Sequence, residues 1–383
     1  FNVLRRAADE IALGFQKAGH QVTVFDLESQ NYSSSDLYEE IEKPYDFVFS
    51  CQAIGFETTL GNGVPLLRAI NKPYIGWIFD DPLYHMPRIQ NLSSNNAYLF
   101  TIDQQFPDVI KTLYPDSKNV FFLPHGGFPQ ANATLNNPLK EKDIDILFSG
   151  TITSKPVLSE QSFMPIEEYL ATHALQRLES VPGLSVRTAM ELTLQEAGES
   201  PTPELWKELS NVICYLDRVV RYTCKYNVLH TLLKNGLHIH IAGEGNEEFS
   251  HLYPGQVTTY GPLNIDDVIS LIGRSKIVIN PVPTLTQGLH ERIVTAMLGH
   301  AFCFTPYSQY LYDNWRDCLN FINMRNLSET VTTIKEILKN YESYQLKLEH
   351  NYKKAVQEHT WEQRGIQIVK FYEGIASNHH PLF

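Results

Sequence analysis

The feature that most limits what this chain can fold into is an alternation, through its first 126 residues, of short apolar runs with stretches of helical periodicity. The apolar runs are 21–25, 47–51, 74–79, 97–102 and 120–123, with helical candidates such as 108–113 between them. Strands separated by helices pair in parallel, because a crossover of that length returns the chain to the same end of the sheet. Helices on both faces then bury the sheet. Residues 1–14 already read as a helix, with Leu4, Ala7, Ile11 and Phe15 on one face. A doubly wound domain opens with a strand, so an opening strand upstream of Phe1 is expected; no signal peptide is visible. Several apolar runs end in polar or turn residues: Asp26, Asp80-Asp81-Pro82, Asp103-Gln104 and His125-Gly126-Gly127. Open parallel sheets bind ligands beyond the carboxyl ends of their strands, so these ends are the first candidates for chemistry.

Residues 127–142 are polar, rich in Asn and Pro, and read as a linker. A second strand series opens at Ile144 and resumes at 237–242, 257–260, 276–280 and 301–305. Residues 159–234 between them are helical, with a proline-marked break near 199–203, and the tail 327–375 is helical. The pattern predicts an N-terminal Rossmann-like domain over 1–135 and a C-terminal one over 143–355 with a helical insertion at about 159–234. A last helix, 356–383, is expected to pack back on the first domain. Two such domains facing each other would make a cleft, a favoured place for small molecules.

Lys plus Arg is 31 and Asp plus Glu is 43, so 31 − 43 = −12. That balance argues against a general nucleic-acid binder and leaves room for a local basic pocket that takes a phosphorylated small molecule. No apolar run reaches the roughly 18 residues that a membrane span needs. Cys51, Cys214, Cys224, Cys303 and Cys318 are odd in number and form no CxxC pair, which implies neither a zinc site nor a disulfide framework and points to a reducing cytoplasm. Asn91 and Asn132 open glycosylation sequons, a frequent coincidence in a chain rich in Asn and Ser.

The segment richest in chemistry is 276–306, KIVINPVPTLTQGLHERIVTAMLGHAFCFTP, read as strand, loop, helix, strand, with the helix over 289–298. Free N–H groups at that helix start could hold a diphosphate, and Arg292 could add a charge and a fork of donors. Spacing alone fits equally a buried strand-to-helix turn with Glu291 and Arg292 on a solvated face. Gly243-Glu244-Gly245 follows a strand and could let a nucleotide approach the backbone, or be an ordinary turn. Lys155, in the strand-end loop opened by Gly150, could neutralise a phosphate or be a solvated loop lysine.

ERIVTAMLGHAFCFTP resembles the segment "ERvFEAmaCGgfllt" of GT-B glycosyltransferases, in the spore-maturation (CgeB-like) branch related to glycosyltransferase family 4. FNVLRRAADEIALGFQKAGHQVTVFD, YIGWIFDDP, DIDILFSGTI, GLHIHIAGEG, SKIVINPVP and HTWEQRGIQIVKFY resemble further segments of such enzymes in the same order. The resemblance implies an α/β GT-B fold, two Rossmann-like domains facing across a cleft, and transfer of a sugar from a nucleotide-sugar donor to an acceptor. The donor is expected on the C-terminal domain, touching Gly150, Lys155, Gly243, Glu244, Gly245, Gln287, Gly288, Leu289, His290, Glu291, Arg292 and Thr295. Related enzymes bracket the donor with two acidic residues; Gln287 and Thr295 stand at those positions, so both carboxylates are absent. Gln287 can still meet sugar hydroxyls, Thr295 can make one ribose contact, and Glu291 could compensate. No metal and no cofactor is implied, the leaving diphosphate being stabilised by helix dipoles and basic groups. Partners are the nucleotide sugar and a protein or glycan acceptor of a bacterial surface.

On the acceptor side Asp81 and His85 are candidate catalytic groups for taking the acceptor's proton. The alternative for Asp81 is an Asx turn and cap around Pro82. Asp103 and His125 end strands and could line the cleft, although a His in a Pro-His-Gly-Gly turn more often serves structure. In the insertion, Arg218, Arg221, Tyr222 and Lys225 share one helix face, which reads as a solvated stripe or as an acceptor or partner surface. Two other readings stay open: a catalytically silent GT-B fold acting as a binding partner or scaffold, and a nucleotide-sugar epimerase.

Overall fold

The structure is a computed structural model and describes residues 2–25, 39–40, 42–90, 92, 95–130, 142–181 and 183–377. The chain divides into two compact units: one combines Val3–His125 with Trp361–Phe383, and the other is Gly126–Thr360.

In the first unit α1 (Asn2–Lys17) buries Ala7, Ile11 and Phe15, the stripe visible in the sequence. Strands β1 (Val48–Cys51), β2 (Tyr74–Ile78), β3 (Ala97–Thr101) and β4 (Val120–Phe122) pair in parallel in that order. β2 is buried at every position, as a strand covered on both faces must be. The short helices α2 (Leu66–Ile70), α3 (Met86–Ile89) and α4 (Phe106–Leu113) lie in the crossovers. The last helix, α15 (Trp361–Ala376), belongs to this unit. Its Trp361 ring meets Trp77 at 5.3 Å, and its Phe371 lies edge-on to Phe100 and Phe121 at 4.9 and 4.8 Å. α1 and α15 cross at Gly14 and Gly365, where a Cβ on Gly14 would lie 2.2 Å from the Glu362 carbonyl oxygen and one on Gly365 2.3 Å from that of Ile11.

The strand read at 21–25 does not form. Its residues join no ladder, and Val24 is 60% exposed. Apolar alternation marks a strand only where a neighbour supplies the hydrogen bonds, and among the described residues none does. Asp26, Asn91 and Asn132 lie outside the described residues.

The second unit holds a six-stranded parallel sheet in the order β10-β9-β8-β5-β6-β7. Its strands are β5 (Ile144–Ser149), β6 (Ile239–Ala242), β7 (Val257–Gly261), β8 (Ser275–Ile279), β9 (Phe302–Pro306) and β10 (Asn320–Ile322). β10 is absent from the sequence reading because three residues at a sheet edge carry too little pattern. The insertion is a group of four helices, α5 (Pro165–Ser180), α6 (Val186–Glu196), α7 (Pro203–Glu208) and α8 (Ser210–Lys234). The expected break appears between α6 and α7, where Thr202 caps α7 through the Leu205 N–H. The sheet is completed by α9 (Glu247–Leu252), α10 (Ile265–Arg274), α11 (Glu291–Leu298), α12 (Gln309–Trp315), α13 (Leu327–Lys339) and α14 (Gln345–Glu358). Val228, Leu229, Leu232 and Leu233 of α8 and Val331 and Ile334 of α13 cover one sheet face over Ile146, Phe148, Ile241, Ile277 and Ile279.

The start of the expected linker is packed rather than free. Phe128 is fully buried, its N–H donates to Thr295 Oγ1 at 3.1 Å, and Gln130 donates to the Ile269 carbonyl at 2.9 Å. Residues 131–141 lie outside the described part.

Lys142 is 7% exposed, and its ammonium donates to the carbonyls of Ser275 and Gly299, the residues that cap the C-termini of α10 and α11. Two helix ends favour the cation, yet burial lowers its pKa to about 7. Below about pH 7 both folded and unfolded chains carry this proton, and the folded state bears the full cost of burying it. Between about 7 and the unperturbed value near 10.5 the unfolded chain binds a proton that the folded one has shed, so stability rises with pH. We expect the stability of wild type relative to Lys142→Met to increase by about 1 kcal/mol per pH unit across that window, read by urea denaturation. A difference that stays flat from pH 7 to 10 would show that the ammonium stays charged.

Candidate functional site

The order of the second sheet reverses direction between β5 and β8, and this switch point is where an open α/β sheet leaves a crevice beyond its strand ends. Arg292 occupies it. Its Nε donates to Ser149 Oγ, the last residue of β5, at 3.0 Å, and its Nη1 donates to Asn280 Oδ1, just past β8, at 2.7 Å. Asn280 is 1% exposed and its amide is anchored in turn on Thr305 Oγ1 at 3.1 Å. A Cβ on Gly150 would lie 3.4 Å from Arg292 Nη2, so the strand-end loop passes directly over the guanidinium. Those two side chains fix the guanidinium plane.

A second cation reaches the same place from the insertion. Lys225 of α8 donates through Nζ to the Thr151 carbonyl at 2.9 Å. Burial, the charge of Arg292 and that of Arg221 push its pKa below the usual lysine range. Arg221 is itself paired with Asp217 at 2.8 Å, and Asp217 is 7% exposed. Two cations gathered where each disfavours the other are an arrangement that a polyanion would stabilise.

The start of α11 differs from the expectation. The helix begins at Glu291, and His290 caps it: His290 Nδ1 accepts from the Arg292 N–H at 3.2 Å and its carbonyl accepts from Ile293 at 3.1 Å. Two of the backbone donors expected to meet a diphosphate, the N–H groups of Arg292 and Ile293, are thus used within the protein, which leaves the side-chain cations as the candidate anion contacts. Gly288 and Leu289 are buried in the approach to that cap, and Gln287 is partly exposed. Thr295 is 1% exposed; its hydroxyl accepts from Phe128 and faces the Glu291 carbonyl at 3.0 Å and Glu291 Oε2 at 3.2 Å. That leaves no exposed oxygen for a ribose, which corrects the reading of Thr295. Burial raises the pKa of Glu291 above the usual carboxylate range, opposed by the neighbouring Arg292.

The glycines at the ends of β5 and β6 also serve differently from expectation. A Cβ on Gly243 would lie 2.3 Å from the Gly150 carbonyl oxygen, and one on Gly245 would lie 1.8 Å from that of Ile152. The Ile152 N–H donates to the Glu244 carbonyl at 2.9 Å. The space above Gly243 and Gly245 is filled by the neighbouring loop, so their first task is loop-to-loop packing, not ligand approach. The side chains of Glu244 and Lys155 are exposed.

In the first unit the strand-end residues separate into two groups. Asp81 caps the turn Pro82–His85 by accepting from the Leu83 N–H at 2.9 Å, the Asx arrangement. Asp80 is the carboxylate beside His85, at 3.6 Å, and it accepts from Gln52 Nε2 at 3.0 Å. Gln52 has a left-handed backbone, φ 56°, and its Oε1 accepts from the Phe79 N–H at 3.0 Å. His125 is 4% exposed among Phe79 and Trp361, at 5.0 and 5.5 Å, and Asp103 is 1% exposed and accepts from Gln105. Both are structural, which corrects their reading as lining residues. Among the described residues no three His, Cys, Asp or Glu side chains are grouped as metal ligands are, and no helix is long and apolar enough to cross a membrane.

No protein-family model matches the chain, and no curated protein matches it. Among solved structures it is similar to a glycosyltransferase from Rickettsia africae ESF-5, at a TM-score of 0.51 and 11% identity over 98% of this chain and 95% of that one. It is also similar to an α-glucosyltransferase in complex with UDP-glucose and DNA containing an abasic site, at 0.50 and 13% identity over 93% and 92%. The fold is that of the GT-B glycosyltransferases. A further match, TarM, has a TM-score of 0.47 and 12% identity; it covers 88% of this chain, which spans 58% of TarM's length. In this GT-B chain the Arg292 and Lys225 pair lies in the second Rossmann-like unit and the Asp80–His85 pair in the first.

Lys225 is the residue that sequence reasoning misplaced. The signal was present: it closes the i, i+3, i+7 basic stripe on the helix leading into β6. What the stripe faced could not be read, because the partner carbonyl of Thr151 lies 74 residues away.

Proposed function

We propose that this chain is a glycosyltransferase that moves a sugar from a nucleotide-sugar donor to an acceptor, in the CgeB-like branch related to family 4. The observation that carries the reading is the Arg292 and Lys225 pair at the switch point of the second sheet, held by Ser149, Asn280 and the Thr151 carbonyl. As the bond from the anomeric carbon to the diphosphate breaks, negative charge grows on the leaving oxygen. Two preorganised cations stabilise that charge more than they stabilise the intact donor. Gln287 in its loop is the sugar-hydroxyl contact, and Glu291 stands beside Arg292 in place of the absent acidic pair. The first Rossmann-like unit takes the acceptor, with His85, backed by Asp80, as the group that receives its proton. UDP-glucose, the donor present in the α-glucosyltransferase structure, is the first donor to try. The reaction calls for no cofactor and no metal, and the acceptor is a bacterial surface protein or glycan modified from the cytoplasmic side.

The absence of carboxylates at 287 and 295, with the Thr295 hydroxyl already engaged, favours a second reading: a GT-B fold that binds nucleotide sugar without transferring it. A thermal-shift screen of nucleotide sugars followed by an assay of donor hydrolysis separates the two. Stabilisation together with slow release of free sugar supports the transferase. Stabilisation with no turnover supports the binding protein, and no stabilisation by any nucleotide sugar removes both.

A further inference from the structure

The insertion helix α8 is 25 residues long, about 37 Å at 1.5 Å per residue, whereas the strands it packs on have four to six residues, at most about 20 Å. Its C-terminal half, through Leu229, Leu232 and Leu233, is in the sheet core. Lys225 already touches the loop past the carboxyl end of β5. The N-terminal half of α8 therefore overhangs the sheet edge at which Arg292 sits. Running from the sheet-covering half back to this overhang, His230, Tyr226 and Tyr222 form a ladder at four-residue steps, with Tyr222 at its outer end. Tyr222 and Tyr226 are stacked with ring centroids 5.7 Å apart, and Tyr226 and His230 with centroids 5.6 Å apart and 12° between planes.

The two inner rings are fixed from the β6 side. Tyr226 donates to Glu248 Oε1 at 3.0 Å and packs on Phe249 at 5.3 Å, and His230 Nδ1 is 2.7 Å from the Tyr253 hydroxyl. Tyr222, the terminal ring, has Tyr226 on one face and no second ring or cation partner among the described residues. It is partly buried, and it stands one turn from Lys225 with Arg218 and Arg221 beside it on the same helix. A half-buried aromatic face one turn from Lys225, which in turn feels the charge of Arg292, is a stacking surface suited to a planar heterocycle that carries phosphates.

We propose that the outer face of Tyr222 is the platform on which the base of the nucleotide stacks, so that α8 supports the base while Lys225 and Arg292 hold the diphosphate. This deepens the donor-site reading and rests on it. Because every base has a π-face, such a platform favours no particular nucleotide strongly; it adds affinity to all of them.

The test is calorimetric titration of the whole chain with UDP, GDP and ADP and, separately, with inorganic pyrophosphate. Tyr222→Ala is expected to weaken the tightest-binding nucleotide by about 10- to 100-fold, as loss of one base stack does. Pyrophosphate affinity should stay at the wild-type level, and Tyr222→Phe should restore nucleotide binding because it keeps the ring. If wild type binds nucleotides and Tyr222→Ala leaves that affinity unchanged, the platform is overturned and the donor site stands. If Tyr222→Ala weakens pyrophosphate and nucleotide equally, the ring serves only to hold α8 in place, which also overturns it. If wild type binds neither probe, the donor-site reading fails and the platform with it.

Discussion

Arg292→Ala is expected to lower affinity for a nucleoside diphosphate by about 100- to 1000-fold while leaving the chain folded. Charge-assisted, forked hydrogen bonds to phosphate are about twice as strong as neutral ones, and a loss of about 3 to 4 kcal/mol is the order at stake when two of them go in a partly desolvated site. The guanidinium needs little reorganisation on binding, since Ser149 and Asn280 already set its plane. Arg292→Lys should recover little, because an ammonium cannot span Ser149, Asn280 and a phosphate at once. Lys225→Ala should cost less, about tenfold, as the loss of one point charge. The pair also gives a pH signature. The pKa of Lys225 is depressed, so diphosphate affinity should fall on the alkaline side earlier than an ordinary lysine would require. In Arg292→Ala one of the charges depressing it is gone, so that fall should move to higher pH. Titrating wild type and the variants with UDP, GDP and ADP at several pH values checks all of this. Unchanged affinity in Arg292→Ala would remove the switch point as the donor site.

The second large effect concerns stability. Gly14→Ala and Gly365→Ala are each expected to destabilise the first unit by about 3 kcal/mol, although alanine is the better helix former by about 1 kcal/mol. The added methyl groups meet backbone rather than a movable side chain, at 2.2 and 2.3 Å, so α1 and α15 must separate. Separation opens the contacts of Trp361 and Phe371 with β2 and β3. Hydrogen exchange read by mass spectrometry should show faster exchange in α1, β2 and α15 and unchanged protection in β5 and β8 of the second unit. Unaltered protection of α1 would show that the crossing tolerates a wider spacing.

Much of the architecture was legible in the residues. Buried parallel strands are continuous apolar runs, and helices of the length of α1 or α8 show their stripe, so most strands of the two parallel sheets and the helices between them could be read, while the passage between units lies ten residues earlier than the expected 135. Two errors have one cause: residues 21–25 look like a strand without a partner, and β10 is a strand without a look. Ladder membership is decided by neighbours and not by the segment itself. Of the candidate site, the position of Arg292 was legible, since its place after a strand and at a helix start is local, while what its side chain would meet was open between a ligand and solvent. The site was not legible at Lys225, Asn280 or Thr295, whose roles depend on groups that fold in from elsewhere. Asp80 and Asp81 show the finest limit. Both sit at the end of β2, and which one caps the turn and which one faces His85 follows from backbone direction alone.

The first unit is made of two pieces of chain, Val3–His125 and Trp361–Phe383, with the whole second unit between them. A ribosome delivers these pieces in order. Gly126–Thr360 is therefore fully out and free to fold while the earlier Rossmann-like unit still lacks α15, with Phe100, Phe121 and Trp77 waiting uncovered. A nascent chain arrested before Trp361 should therefore hold a folded second unit tethered to an unfinished first one whose apolar strand faces remain open to chaperones.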